Sequence, residues 1–146
     1  MKHFLRYSED KIRGLLFGTF LGDSIGAIFE GKEPDHIPPL HLNMIPDFAP
    51  LTYTDDTQMT ISVFEEMVEN GYIDQNSLKE RFLRRFSPWR KYSGGMLEVI
   101  ERWRNGEDIK KAATMLYGGV GSFGDGAAMR AAPISAFFPL SNIEEL

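Results

Sequence analysis

Four adjacent residues, Thr54-Asp55-Asp56-Thr57, place two carboxylates between two hydroxyls. Neighbouring carboxylates repel, and a divalent cation between them removes the repulsion. Two carboxylates plus a hydroxyl form a hard-oxygen set suited to Mg²⁺ or Mn²⁺. The run also has an ordinary structural reading. Thr54 is a good N-cap, and the helix dipole favours acids in the first turn. One aspartate would satisfy the dipole, so the pair keeps the metal reading open.

Two further acids belong to Gly22-Asp23-Ser24-Ile25-Gly26-Ala27-Ile28-Phe29-Glu30-Gly31. Asp23, in an otherwise apolar and glycine-rich stretch, reads as a buried structural hydrogen-bonding group. Glu30 closes a predicted helix, where the dipole disfavours an anion. It therefore faces water, pairs with a cation, or is placed for use. A third run, Gly121-Ser122-Phe123-Gly124-Asp125-Gly126, feeds a predicted helix. Such a turn offers backbone N–H groups to an anion, although a flexible linker has the same composition. It lacks the Gly-Lys-Ser/Thr ending of a triphosphate-binding loop and follows no strand, so a dinucleotide fold is not supported.

Helices must position these groups. The first is expected over 10–29, capped by Asp10, with Ile12, Leu15, Leu16, Phe20 and Leu21 at helical spacing. Gly14, Gly18, Gly22 and Gly26 fall on one stripe of it. Each costs about 1 kcal/mol relative to alanine, which predicts close approach of another backbone or of a ligand. Prolines 34, 38, 39, 46 and 50 make 31–52 a long ordered loop whose apolar residues, Ile37, Leu40, Leu42, Met44, Ile45 and Phe48, should pack onto the body. Further helices are predicted over 54–70, 74–86, 95–104, 108–117 and 127–138, the last with Pro133 inside it. Neither strand alternation nor an internal repeat is present. The expectation is a single all-α domain over 1–146, an irregular orthogonal bundle.

The 146 residues are 42% apolar and 25% charged with a net charge of −5, a globular composition with no general attraction to nucleic acid or anionic lipid. The absence of cysteine excludes disulfides, thiolate metal sites and cysteine nucleophiles. Early charges rule out a signal-peptide core in the N-terminal run, and no apolar run approaches the ~20 residues that cross a bilayer. The expectation is a cytoplasmic protein. Six cations between Lys79 and Lys91, interleaved with Phe82, Phe86 and Trp89, read as the solvated side of a helix whose aromatics face the core.

The three runs agree in type and order. Gly-x-x-x-Gly-Asp-x-x-Gly-Ala-x-x-Glu-Gly ending at Gly31, Tyr-Thr-Asp-Asp-Thr-x-Met from Tyr53, and Gly-Ser-x-Gly-x-Gly-Ala-Ala-Met-Arg-x-x-Pro from Gly121 together resemble the ADP-ribosylglycohydrolase family, which includes the dinitrogenase-reductase-activating glycohydrolases. The likeness runs from about Ile12 to Pro139.

The resemblance implies an all-α hydrolase with two divalent ions, Mg²⁺ or in some members Mn²⁺. Its substrate is an ADP-ribosylated protein or an ADP-ribose-containing small molecule. Thr54, Asp55 and Asp56 would be metal ligands, and Glu30 and Asp55 catalytic. Gly121, Ser122, Gly124 and Asp125 would hold the diphosphate and ribose. Asp125 stands where the family carries asparagine. The family's second metal motif, Asp-x-Asp-Thr/Ser on a late helix, has no counterpart before Leu146, and 141–146 does not replace it. These residues are therefore expected to be incomplete at the C-terminus, to carry half of the two-metal site and to release little ADP-ribose by themselves. They should also expose apolar surface that favours self-association. The alternative is a non-catalytic ADP-ribose-binding or structural, crystallin-like relative.

Overall fold

A computed structural model describes residues 7–39, 41–48 and 50–138. Among these the chain is all-α, without strands. The main helices are α1 (Glu9–Gly26), α2 (Asp55–Asn70), α3 (Gln75–Arg85), α4 (Gly94–Arg104) and α5 (Ile109–Thr114). A one-turn α6 (Leu116–Gly119) is kinked by left-handed Tyr117 and Gly118. The run 139–146, including the C-terminal segment read above, lies outside the described residues.

Helix α2 organises the fold. It begins at its N-cap Thr54, whose hydroxyl accepts from the Asp56 N–H, and ends at Gly71, which takes the left-handed φ of 77° that glycine adopts without a Cβ penalty. Its Met59 and Val63 join Phe82, Tyr92, Val99, Ile100 and Trp103 in one core cluster. One turn further on, Met67 joins Ile12, Ala136 and Phe137 in another. Helix α2 thus packs against α3 on one side and against α1 and the Ala132–Ala136 segment on the other.

The expected helix over 127–138 is not formed. Residues 125–130 make turns, and Ala132–Ala136 is a 3-10 helix with Pro133 in its first turn. Proline lacks the N–H that an α-helix needs there and clashes with the preceding turn. The proline-rich stretch is also more regular than a bare loop: Pro34–His36 and Leu42–Phe48 are 3-10 helices. Its Met44 and Ile45 are half-buried and Ile37 is exposed, while Leu40 and the side chains of Leu42 and Phe48 lie outside the described residues. Ser8, not Asp10, occupies the N-cap of α1. The glycine stripe meets no close backbone either. A Cβ added at Gly14, Gly18, Gly22 or Gly26 would find nothing within 4 Å among the described residues.

The basic stretch from Lys79 to Lys91 is not a solvated cationic face. Arg81 is buried, and its Nε donates to Glu66 Oε2 at 2.6 Å. Arg85 pairs with Glu65, and Lys79 with Glu80. Trp89 does not face the core but is 88% exposed.

Glu66 is wholly buried on α2. Besides Arg81 it accepts from Asn70 Nδ2 at 2.7 Å, Ser77 Oγ at 2.7 Å and the Asp74 N–H at 3.2 Å. Burial by itself would raise its carboxyl pKa; the bonds from Ser77, Arg81, Asn70 and Asp74 outweigh it and hold the value below the usual one. A depressed carboxylate stabilises the fold above its unfolded-state pKa, and the contribution fades as pH falls through the folded value. Glu66→Ala leaves the Arg81 Nε, the Ser77 hydroxyl and the Asp74 N–H without their acceptor while Arg81 keeps Glu69, so it is expected to destabilise the chain by about 2–4 kcal/mol at neutral pH. Urea unfolding measures this, and a loss under about 1 kcal/mol would contradict the role given to Glu66.

Candidate functional site

One carboxylate joins the first two motifs. Asp23, near the end of α1, accepts four hydrogen bonds across the α1–α2 contact. They come from the Thr54 N–H at 2.8 Å, the Thr54 hydroxyl at 2.6 Å, the Thr57 N–H at 3.2 Å and the Thr57 hydroxyl at 2.6 Å. The expected hydrogen-bonding role is met, although Asp23 is half-buried rather than buried. The first N–H groups of a helix lack partners within it, so Asp23 acts as a cap for α2 supplied from outside. Both threonine hydroxyls spend their protons on it, and Thr54 Oγ1 also accepts from the Asp56 N–H at 3.3 Å.

This geometry sets Asp55 and Asp56 at the wall of a cavity of about 660 Å³, within the range of small-molecule sites. Thr54, Gly22, Gly26 and Glu30 line it on the α1–α2 side, and Ser122, Gly124, Asp125 and Gly126 line it from the glycine-rich turn. The three runs separated in sequence therefore meet. Gly121, with φ of 84°, shapes the turn without lining the cavity. The Gly124 N–H is already held by Ser122 Oγ at 3.1 Å.

The acids crowd one another. Burial, then the charges of Asp56, Glu30 and Asp23, push the Asp55 pKa up to about 7, against a weaker lowering by a backbone hydrogen bond. Burial, then Asp23, Asp125 and Glu30, push Asp56 up to about 6, again with a backbone bond opposing. Among the described residues no three acidic or histidine side chains converge as a ready-made metal cage. The donor set is instead two half-buried carboxylates beside a hydroxyl, all in a field that a cation would relieve.

Cations occupy the rim. Lys91 Nζ lies 3.3 Å from Glu30 Oε2 and donates to the Ala27 carbonyl at 2.8 Å, so Glu30 has a cationic partner at the end of α1. Arg90 stacks 3.5 Å from the centroid of Tyr53 and donates to the Tyr53 carbonyl at 2.8 Å. The Tyr53 ring in turn packs against Phe20 of α1 at 5.8 Å. Sequence reasoning did not place Lys91 at the cavity, nor Arg90 behind it as the support of Tyr53. Lys91 adopts a left-handed φ of 58°, which no local motif announces.

Replacing one acid tests the crowding. An acid whose folded pKa is raised takes up protons between its unfolded and folded values, so folding loses stability as pH rises from about 4 to about 7. The metal-free chain with Asp55→Asn is expected to be more stable than the wild type at pH 8, by on the order of 1 kcal/mol after solvent screening, with the gain vanishing toward pH 4. Thermal melts in chelator across this range measure it. A variant less stable than wild type at pH 8 would remove the argument from repulsion.

Known proteins place these motifs in a family. The model described as ADP-ribosylglycohydrolase matches residues 6–146. The protein named ADP-ribosylhydrolase ARH3 of Xenopus tropicalis is 34% identical over 148 residues, covering 88% of this chain and 40% of that protein. The Danio rerio protein of the same name is 33% identical, covering 88% of this chain and 37% of its own length. The chain thus spans about 40% of the length of the curated relatives it matches. By its motifs, its all-α fold and this match over nearly its whole length, the chain belongs to the ADP-ribosylglycohydrolase family.

Proposed function

We propose that the cavity binds the ADP-ribosyl group of a modified protein or small molecule, and that with divalent ions it forms part of a site that hydrolyses the glycosidic bond at the distal ribose. The observation that carries this reading is that the acidic start of α2 and the glycine-rich turn line one cavity. The relatives are named as ADP-ribosylhydrolases.

In this reading Thr54, Asp55 and Asp56 hold Mg²⁺, or Mn²⁺ in its place, from one side. Mg²⁺ commonly takes one or two carboxylates and keeps several waters, and the donor set here has that form. When bound, the ions supply the charge that polarises ribose hydroxyls and water. The chain's own groups do the rest. The bond that breaks leaves positive charge on the ribose carbon, which the Asp55 carboxylate can stabilise. Glu30 is the candidate to hold or move a proton, with Lys91 fixing its carboxylate at the rim. Ser122, Gly124 and Asp125, on the turn begun by Gly121, face the diphosphate and its ribose, and that remote binding positions the reacting carbon.

Binding without hydrolysis is a second reading, and under either one Asp125 opposes a diphosphate unless a cation intervenes. Its carboxylate adds to the charge that raises Asp56 and stands where a diphosphate would lie. The two readings separate in a release assay on an ADP-ribosylated protein, where Mg²⁺-dependent release, even at the low level expected of these residues by themselves, occurs only under the first.

Isothermal titration addresses the binding step directly. ADP-ribose is expected to bind saturably and more tightly with MgCl₂ present, and Asp56→Asn to lose about tenfold or more of the Mg²⁺-dependent part, about 1.4 kcal/mol. Absence of ADP-ribose binding with and without the ion would refute the reading. The Mg²⁺ affinity should also rise from pH 5.5 to about 7.5 with release of protons, because an ion must displace them from acids with raised pKa values. A pH-independent affinity would show that the ion binds elsewhere.

A further inference from the structure

One cation of the cavity has no counter-charge. Arg130 lines the same cavity as Asp55 and Asp56, yet among the described residues it pairs with no carboxylate and no carbonyl. Its recorded contacts are a weak Nη1 bond to Met59 Sδ at 3.6 Å and the Phe82 ring, 5.5 Å from centroid to guanidinium. The other arginines that are half-buried or buried behave differently. Arg81 and Arg85 are satisfied by glutamates, Arg102 by Glu98 and Glu107, and Arg90 by the Tyr53 carbonyl.

A guanidinium partly withdrawn from water without an acceptor gives up hydration and receives no ion pair in return. Burial pushes the Arg130 pKa down from its ordinary value. Arginine nevertheless keeps its charge at any physiological pH. Its placement is also fixed in advance. The Met129 carbonyl accepts from the Thr60 hydroxyl of α2 at 3.1 Å, and the Met129 N–H donates to the Asp125 carbonyl at 3.1 Å. These bonds tie the turn that carries Arg130 to the core, with Phe82 and Met59 beneath the side chain. The guanidinium lies next to the glycine-rich turn: a Cβ added at Gly126 would sit 4.0 Å from Nη1.

We propose that Arg130 is the phosphate-recognising residue of the cavity, its planar fork taking the diphosphate of the bound ligand beside Gly126. The fork presents parallel N–H donors that match two phosphate oxygens, which a lysine cannot reproduce. The inference rests on the reading that the ligand carries a diphosphate. It also gives that diphosphate a cationic partner in a cavity otherwise dominated by acids.

The test is titration of the chain and of its Arg130→Met and Arg130→Lys variants with ADP-ribose, inorganic pyrophosphate and adenosine, together with ligand-free thermal melts. Arg130→Met is expected to weaken ADP-ribose and pyrophosphate binding about tenfold or more, and Arg130→Lys to weaken them less. Adenosine binding should not change. The ligand-free melting temperature should stay level or rise, since the half-buried guanidinium makes no ion pair or carbonyl bond for the variant to lose. Unchanged ADP-ribose affinity in Arg130→Met would overturn the proposal. So would a marked fall in melting temperature, which would make the residue a support of the fold. Arg130-dependent pyrophosphate binding without ADP-ribose binding would uphold the phosphate site and reject the functional reading. ADP-ribose binding indifferent to Arg130 would do the reverse, and no binding of either diphosphate would reject both.

Discussion

The site depends on one carboxylate that belongs to none of its expected ligand sets. Asp23 caps α2 from α1 by accepting from two backbone N–H groups and two hydroxyls. Bonds to an ionised acceptor are shorter and stronger than neutral ones, and these bridge elements more than thirty residues apart in sequence. They set where α2 begins, and therefore where Asp55 and Asp56 stand. The interaction also has an electrostatic cost. The charge that assembles the start of α2 is among those that raise the pKa values of Asp55 and Asp56. Asp23 thus builds the start of α2 and, behind burial, adds to the site's demand for positive charge.

The distribution of cations follows from the same balance. The segment richest in positive charge, Lys79 to Lys91, divides its side chains by depth. Arg81 and Arg85 meet Glu65, Glu66 and Glu69 of α2. Just past α3, Lys91 lines the cavity beside Glu30, and Arg90 holds Tyr53, the residue before the N-cap of α2. Lys91 holds a left-handed backbone at some energetic cost for a residue with a Cβ, and it delivers charge to the C-terminal end of α1, where carbonyls and Glu30 collect negative potential.

Much of this was legible in the sequence because it is written in local chemistry. The caps at Thr54, the stop at Gly71 and the apolar period of Met59, Val63 and Met67 define α2 without reference to anything distant. Asp55, Asp56, Glu30, Ser122, Gly124 and Asp125 do reach one cavity, as the three motifs together implied. What was not legible depends on tertiary geometry. Lys91 and Arg90 act from another element, and Arg130 was visible as part of a motif without a role. The turn at 125–130 defeated a helix assignment because Pro133 blocks the backbone pattern that the alanines around it favour. Trp89 lies beyond the end of α3, in the 3-10 turn Pro88–Arg90, so the helical phase that buries Phe82 does not extend to it.

The four glycines of α1 have a consequence for motion. Among the described residues of that helix only Ile12 and Ser24 are buried, and bare backbone faces open space at every glycine of the stripe. An element with few buried contacts and weak intrinsic helicity lies at the low end of local unfolding free energies. Asp23, Gly22 and Gly26 all ride on it. If α1 lifts away, the cap of α2 and one wall of the cavity dissolve in the same event. Order in α1 and occupancy of the cavity are then linked quantities: a ligand seated between the walls would slow amide hydrogen exchange along a helix whose far end it never touches.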